Sequence, residues 1–530
     1  MANLNIDAVK ERTFQAIVIG SGLSGSWAAK ELTEHGVKTL VIERGRDVKH
    51  IKDYPTTSML PYEFEHRGQL TQEIQKENPI VSRCYAFRED AAHFFVKDNE
   101  HPYVQEKPFD WIRGYQVGGK SLLWARQVQR WSDFDFEGPA RDGFAVDWPI
   151  RYKDIAPWYS HVEKFAGVSG NKDGLASLPD GEFLPGFPLN VVEEYFQGKL
   201  KEHYGDERHM ILARCAHITG NFDYYAQQGR AKCQSRNLCQ RGCPFGGYFS
   251  TQASTLPAAE ATGNLTLRPW SIVRRLIYDK DTQKATGVEI IDGQTNQTIE
   301  FDAKIIFLCA SAFNSTAILM RTATDIWPGG LGSSSGELGH NVMDHHFRLG
   351  ANGTYEGFED KYYFGRRPTG LYIPRFRNLN GEKRDYLRGF GYQGGASRSG
   401  WSRDVAELGF GAPMKDALTE PGPWSMGITA FGEILPYHEN HIRLSDTVKD
   451  KWGMESLVMS AEIKENEINM RKDMMADAAE MLEVAGFKNV RAFDAGYTFG
   501  QGIHEMGTAR MGRDPKTSVL NGNNQVWDAP

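Results

Sequence analysis

The chain has 530 residues, 40% of them hydrophobic and 12% aromatic, enough to bury a sizeable core and to divide into two domains, which excludes a single small module. Its formal charge of −7, from 61 basic and 68 acidic residues, is spread along the chain without the basic stripe that tracks a phosphate backbone, which argues against nucleic acid as a partner. No apolar run of about 18 residues or more appears, so no transmembrane segment is predicted. The start, MANLNIDAVKERTFQAIVIG, lacks a signal-peptide pattern. A soluble polypeptide is expected, either cytoplasmic or carried to the periplasm by a partner subunit that has its own signal.

Residues 14–19, FQAIVI, form a short apolar run ending at a glycine, which predicts a buried parallel strand. GSGLSGSWAAKELTEHG follows as a glycine turn and a helical pattern closed at Gly36, and VKTLVIERG reads as a second strand. The first 45 residues therefore make a βαβ unit. Within it Gly20, Gly22 and Gly25 form G-x-G-x-x-G, and Glu43 ends the second strand. Each part has a task in holding a dinucleotide. The glycines allow the tight turn and close approach, the helix N-terminus offers N–H groups to the pyrophosphate, and the carboxylate suits the ribose hydroxyls. This loop alone does not choose between NAD and FAD.

A second glycine loop lies at 113–131, RGYQVGGKSLLWARQVQRW, where Gly114, Gly118 and Gly119 precede Ser121 in an apolar and aromatic setting. Three of the six cysteines then crowd into KCQSRNLCQRGCPFGG, giving Cys233-x5-Cys239-x3-Cys243-Pro244. Clustered thiolates with a trailing Cys-Pro point to iron–sulfur ligation more than to zinc. A zinc site completed by His217, Cys215 or His209 is the alternative, and buried unligated thiols are a third reading. The middle of the chain is rich in glycine, proline and aromatics, which suits sheet and loop. There Tyr362, Tyr363, Arg366, Tyr372, Tyr392, Gln393 and Trp401 supply the aromatic and polar groups that bind sugars, and they could equally be ordinary sheet and surface residues. ENEINMRKDMMADAAEMLEVAGF has apolar residues at helical spacing and closes at Gly486, so a long amphipathic helix is expected. The glycine-rich stretch FGQGIHEMGTARMG follows, with one histidine placed where backbone can approach a ligand.

The second loop, ATGVEIID with IIFLCASAFNSTAIL (285–319), ELGHNVMDHH (337–346) and HEMGTARMG (504–512) together resemble the GMC (glucose–methanol–choline) oxidoreductase family, in the family's order and over nearly the whole chain. The resemblance implies an α/β fold: a Rossmann-like FAD-binding domain with an inserted substrate domain built on a large antiparallel sheet. The flavin part is expected from 1–60, 105–135, 225–345 and 490–530, and the substrate part from 61–104, 136–224 and 346–489. By the same resemblance Gly118, Gly119 and Ser121 lie along the flavin. Some members tether FAD through a His or Cys in this loop, but here Leu123, Trp124 and Ala125 cannot form that bond. FAD is therefore expected to be non-covalent, with Trp124 beside the ring.

His504 matches the block that holds the first residue of the family's catalytic pair. Alcohol oxidation needs a base for the hydroxyl proton, and imidazole has a suitable pKa. The chain stops at SVLNGNNQVWDAP, 26 residues after His504, where the family continues to a second catalytic Asn or His. The expectation is a longer native polypeptide that supplies this partner, with His345, His346 or Asn341 as substitutes within 1–530. The cysteine spacing of Cys233, Cys239 and Cys243 resembles the iron–sulfur branch of bacterial sugar dehydrogenases, whose FAD subunit carries a 3Fe-4S cluster and works with a small partner subunit and a cytochrome-type acceptor. Within that branch the resemblance is closest to glucoside 3-dehydrogenases, which oxidise the C3 hydroxyl of glucosides to 3-keto products. Aldose C1 or gluconate C2 oxidation is the runner-up, and a flavoprotein that transfers electrons without a substrate of its own is the reading of another class.

Overall fold

The computed structural model describes residues 11–362, 370–379, 381–398, 411–419 and 421–529. β1 (Thr13–Ile19) and β2 (Thr39–Ile42) flank the helix α1 (Leu23–Glu34), the expected βαβ unit. β2 is buried at every position, as a central parallel strand covered on both faces must be. α1 ends where His35 and Gly36 turn the chain, Gly36 taking φ 78, a left-handed conformation that glycine adopts without a Cβ penalty.

Four later strands complete this sheet: β3 (Leu265–Arg268), β4 (Ser271–Asp279), β5 (Lys284–Asp292) and β6 (Thr298–Leu308), in the order β3-β2-β1-β6-β5-β4. β1 is parallel to β2 and to β6, with Ile17 opposite Leu40 and Ile306, while β4, β5 and β6 pair antiparallel. The helix α2 (Ala312–Arg321) follows β6, and its Ile318 and Leu319 join Ile17, Leu40, Ile290 and Phe301 in one core. Chain-distant segments thus meet around β1, whose C-terminal end carries the nucleotide loop.

The second layer is the large antiparallel sheet. β7 (Leu349–Tyr355), β8 (Leu371–Ile373), β9 (Phe390–Arg398), β10 (Trp424–Glu433) and, after the helix α3 (Glu465–Val484), β11 (Lys488–Asp494) stand in the order β11-β7-β10-β9-β8. Ile211–Leu212 continues the sheet past β8 and His345–His346 pairs with the end of β10. β10 alternates buried and half-buried residues without a break, the period-two signature of a sheet with one covered face. Its buried face meets α3, whose Met470, Met474, Met481 and Leu482 are sealed from solvent, and the helix Val191–Tyr204 through Val192, Phe196 and Leu200. α3 is the long helix expected from the sequence. β11 runs across the expected cut at 490, so the antiparallel sheet extends to Asp494. Among the described residues no helix is long and apolar enough to cross a membrane.

Candidate active site

The glycines of the first loop have distinct duties. A Cβ on Gly25 would lie 1.8 Å from the Gly20 carbonyl oxygen, and one on Gly20, at φ 100, would lie 2.4 Å from the Cys309 carbonyl oxygen, so these two close the turn against β6. Gly22 is the opposite case: a Cβ there meets nothing within 4 Å. The space lies ahead of the first turn of α1, where Gly22 provides no side-chain cap. Uncapped N–H groups facing open space suit a pyrophosphate.

Ser21, hidden in a variable position of the motif, ties the site together. Its N–H and hydroxyl both donate to Glu43 Oε2, at 3.1 and 2.6 Å, and its oxygen accepts from the Gly118 N–H at 2.9 Å. Glu43 Oε1 accepts from the Gly45 N–H at 2.9 Å. Burial pushes the Glu43 carboxyl up, and the Ser21 and Gly45 hydrogen bonds oppose it. The two glycine loops also abut, a Cβ on Gly119 falling 3.4 Å from Gly22 Cα. An open cradle, a helix N-terminus and a carboxylate at the end of β2 fit the dinucleotide part of FAD.

Beyond the second loop opens a cavity of about 1750 Å³. Leu23 at the start of α1, Lys120 and Trp124 of the second loop, and His345 and His504 all line it, so the nucleotide loop and the histidine expected as base share one cleft. Trp124 is anchored by its indole N–H on the Phe249 carbonyl at 3.0 Å. Ser121 is fully buried, its hydroxyl 3.2 Å from Thr251 Oγ1 and directed to Gln252. It is not among the cavity-lining residues, so it braces the loop from behind.

The histidine pair comes from an antiparallel crossing. Met343 and Met506 exchange both backbone hydrogen bonds, at 3.1 and 3.0 Å. Two residues onward on one segment and two back on the other stand His345 and His504. Their Nδ1 atoms are 3.1 Å apart and the rings meet edge to face at 5.1 Å. One Nδ1 must donate and the other accept, which leaves Nε2 of His504 for a ligand. His504 is open to the cavity yet surrounded by protein. That environment pulls its pKa down to about 4, with His345 and Lys120 adding to the fall and Asp344 and Glu505 opposing it. Burial likewise lowers His345 to about 4, so both rings are neutral at neutral pH. Glu505 is tied to Lys120 at 2.6 Å, which links this segment to the second loop. The other substitutes for a catalytic partner are engaged with other residues. His346 is buried against Tyr497, and the Asn341 amide is spent on Glu337 at 2.7 Å and Arg510 at 3.1 Å.

Of the residues read as sugar contacts, Tyr372 and Gln393 line the cavity. Tyr392 does not. It is wholly buried, its ring against Phe376 and Phe390 and its hydroxyl donating to the Met474 carbonyl of α3 at 2.9 Å, because neighbours on a strand point to opposite faces. Tyr362 is 55% exposed and away from the cavity wall, while Tyr363, Arg366 and Trp401 fall outside the described residues. Gln127 and Gln129 of the second loop, which no sequence motif marks, line the cavity too. Nε2 of Gln127 and both polar atoms of Gln129 are buried without a hydrogen-bond partner. Buried amides without partners are costly, and a polyhydroxylated ligand would satisfy them.

Cys233, Cys239 and Cys243 line one small cavity together with His217 and Tyr248. Burial, followed by the neighbouring thiols, pushes Cys233 up to about 11. His217 is 1% exposed with no partner on either ring nitrogen, and burial, then Arg126 and Arg230, hold its pKa well below the usual value. Three thiols and an orphaned imidazole on one small cavity have the donor chemistry of an iron–sulfur site. They are not gathered around a centre, and among the described residues no three His, Cys, Asp or Glu side chains form a metal-holding group. Cys215 instead meets Ser169 Oγ at 3.3 Å. Arg126 spans the two regions, donating to the Leu122 carbonyl at 3.2 Å and the Cys239 carbonyl at 3.0 Å, with its guanidinium 4.0 Å from the Tyr248 ring.

A dinucleotide loop and a neutral imidazole pair on the walls of one polar-edged cleft are the equipment of a flavin-type oxidoreductase acting on a CH–OH group. The chain belongs to the GMC oxidoreductase family, whose members bind FAD: the family models described as GMC oxidoreductase match residues 14–347 and 436–530. It is 28% identical to 2-methyl-1,2-propanediol dehydrogenase of Mycolicibacterium austroafricanum, over 97% of this chain and 88% of that one. It is 24% identical to the gluconate 2-dehydrogenase flavoprotein of Pantoea cypripedii, over 97% and 88%, and 22% identical to the fructose dehydrogenase large subunit of Gluconobacter japonicus, over 95% and 89%. Among solved structures, pyridoxine 4-oxidase from Mesorbium loti has the same fold, with a TM-score of 0.56 at 17% identity over 98% of this chain and 92% of that one.

Proposed function

We propose that this FAD-dependent dehydrogenase oxidises a secondary hydroxyl of a sugar or glycoside, with C3 of glucosides as the favoured position, and that electrons leave through an iron–sulfur cluster to an external acceptor. The observation that carries the reading is the His345–His504 pair at 3.1 Å on the same cavity as the nucleotide loop. FAD, held non-covalently by residues of the two glycine loops, would supply the hydride acceptor. The chain's own residues do the rest. His504 takes the hydroxyl proton at Nε2, while His345 holds the ring and accepts a share of the positive charge that forms. Gln127, Gln129, Gln393 and Tyr372 offer the donors and acceptors that a polyol needs, and the large cavity admits a ring with a substituent. The gluconate 2-dehydrogenase relative supports oxidation at gluconate C2 as the second reading.

The cluster would be held by Cys233, Cys239 and Cys243, the three thiols that share one cavity beside His217. Arg126, bridging the flavin-side loop and the cysteine segment, supports an exit route there. Delivery to a small partner subunit and a cytochrome-type acceptor accords with a relative named as a large subunit. The flavin part is drawn from 1–60, 105–135, 225–345 and the C-terminal segment after β11.

Anaerobic bleaching of the flavin spectrum by a panel of glucosides, aldoses and gluconate, with the keto position of the product identified, tests the substrate. Bleaching by none of them removes the sugar reading. Iron analysis of protein purified without air, compared with Cys239→Ser, tests the cluster. Zinc in place of iron, or iron unchanged in the variant, ends it.

A further inference from the structure

The loop that presents His504 has no regular secondary structure, and its backbone is unusual. Gly500 takes φ 90 and Ile503 takes φ 60, and for a β-branched residue such as Ile503 the left-handed region is a clear outlier. Something must hold this conformation.

The residue that does so is Asp344, which is wholly buried. Oδ2 accepts from the Tyr497 hydroxyl at 2.8 Å, the Gly500 N–H at 3.1 Å and the Gly502 N–H at 2.9 Å, and Oδ1 accepts from the His504 N–H at 3.1 Å. Four donors from residues 497–504 converge on one carboxylate. The fit is tight, since a Cβ on Gly502 would stand 2.3 Å from both Oδ1 and the His345 carbonyl oxygen. Asp344 also directly precedes His345, so a single residue sets the backbone of both imidazoles.

We propose that Asp344 is the positioning residue of this active site: its carboxylate is the hub around which residues 497–504 fold, and it fixes the His504 ring against His345 on the cavity wall. Its role rests on the reading of His504 as the base, and it acts through that residue, its own side chain being wholly buried. Buried charge is retained at such a place only when fully hydrogen-bonded, and here donors surround it. Burial, with Glu505, pushes the Asp344 carboxyl up, while the Tyr497 hydrogen bond and the His504 ring pull it down. Asp344 and Glu505 together hold up the proton affinity of His504 against burial, His345 and Lys120.

The test uses the FAD-loaded enzyme and compares Asp344→Asn, the milder Tyr497→Phe, and His504→Gln as reference. Hydrogen exchange read by mass spectrometry over a peptide spanning 497–504 should show lost protection in Asp344→Asn and partial loss in Tyr497→Phe, with none in His504→Gln. Anaerobic flavin reduction by methyl glucoside should fall about 10²-fold in kcat in Asp344→Asn, the scale expected of a misplacement of about 1 Å, with KM little changed and FAD retained. Wild-type protection in both hub variants overturns the proposal, as does lost protection with an unaltered reduction rate. If Asp344→Asn does not fold, Tyr497→Phe decides by the same two readouts. Failure of the wild type to be reduced by any glycoside sinks the substrate reading alone, since the exchange pattern still decides whether the hub exists.

Discussion

Truncating His504 to alanine removes the ring that faces the cavity and leaves both glycine loops as they are, since their contacts run through Ser21, Glu43 and Gly118. FAD content should therefore be unchanged. General-base catalysis commonly contributes about 10²–10⁴-fold, or roughly 3–6 kcal/mol at about 1.4 kcal/mol per tenfold. The geometry narrows this range. With His504 gone, the neutral His345 ring, centred 5.1 Å from the lost one, remains beside the vacated space, where a water can relay a proton to it. The loss in the flavin reduction rate should thus lie near the lower part of the range, about 10²–10³. The double variant with His345→Ala should fall clearly further than His504→Ala alone. Anaerobic stopped-flow measurement of flavin bleaching at saturating sugar reads both. Reduction of His504→Ala at close to the wild-type rate would remove His504 from the role, and equal rates for the single and double variants would remove His345 as its stand-in.

Further consequences follow from other parts of the site. Gly25→Ala sets a methyl 1.8 Å from the Gly20 carbonyl oxygen, backbone against backbone, so α1 must shift and the purified variant should carry little FAD, as its visible spectrum would report; full occupancy contradicts the packing argument. Gln129→Leu removes an amide with both polar atoms buried and unpartnered, so KM for a glycoside should rise about tenfold, about 1.4 kcal/mol, while thermal stability holds or improves; an unchanged KM argues against contact with substrate. Acid should destabilise the fold through His346, whose burial lowers its pKa from 6.5 to about 3. Because the folded value lies below the unfolded one, the unfolded chain binds the proton first, and stability present above pH 6.5 is lost as pH falls toward 3. The ceiling is roughly 5 kcal/mol, and His346→Met should flatten the urea-midpoint profile over that window, a result that an identical profile would refute.

What could be read in the sequence was what local pattern controls. The nucleotide loop, its helix and its acid lie within one stretch of chain, so spacing alone places them. α3 declares itself by apolar residues at helical intervals because one face meets the sheet. The histidine on the glycine-rich turn was visible for the same reason, but its partner was not singled out. That His345 and not Asn341 or His346 faces His504 depends on the crossing at Met343 and Met506, which joins segments more than a hundred residues apart. Tyr392 and Gln393 show the other limit. Composition marks both as sugar-binding types, and only the register of β9 against its neighbours decides which one faces the cavity. Ser21 is not legible in the sequence because its motif position is a variable one, and its value comes from two partners, Glu43 and Gly118, that sequence proximity does not suggest.

The crossing at Met343 and Met506 also governs where this chain can change length. Side chains along an extended segment alternate sides, so one residue inserted between Met343 and His345, or between His504 and Met506, would turn an imidazole away from the cleft. Insertions in the strand connections of the antiparallel sheet leave that parity untouched, and lengthening a surface loop costs little entropy. Tolerance is therefore divided unevenly. The short stretches that cross at Met343 and Met506 are fixed in length, while lengthening elsewhere leaves the facing His345–His504 pair undisturbed.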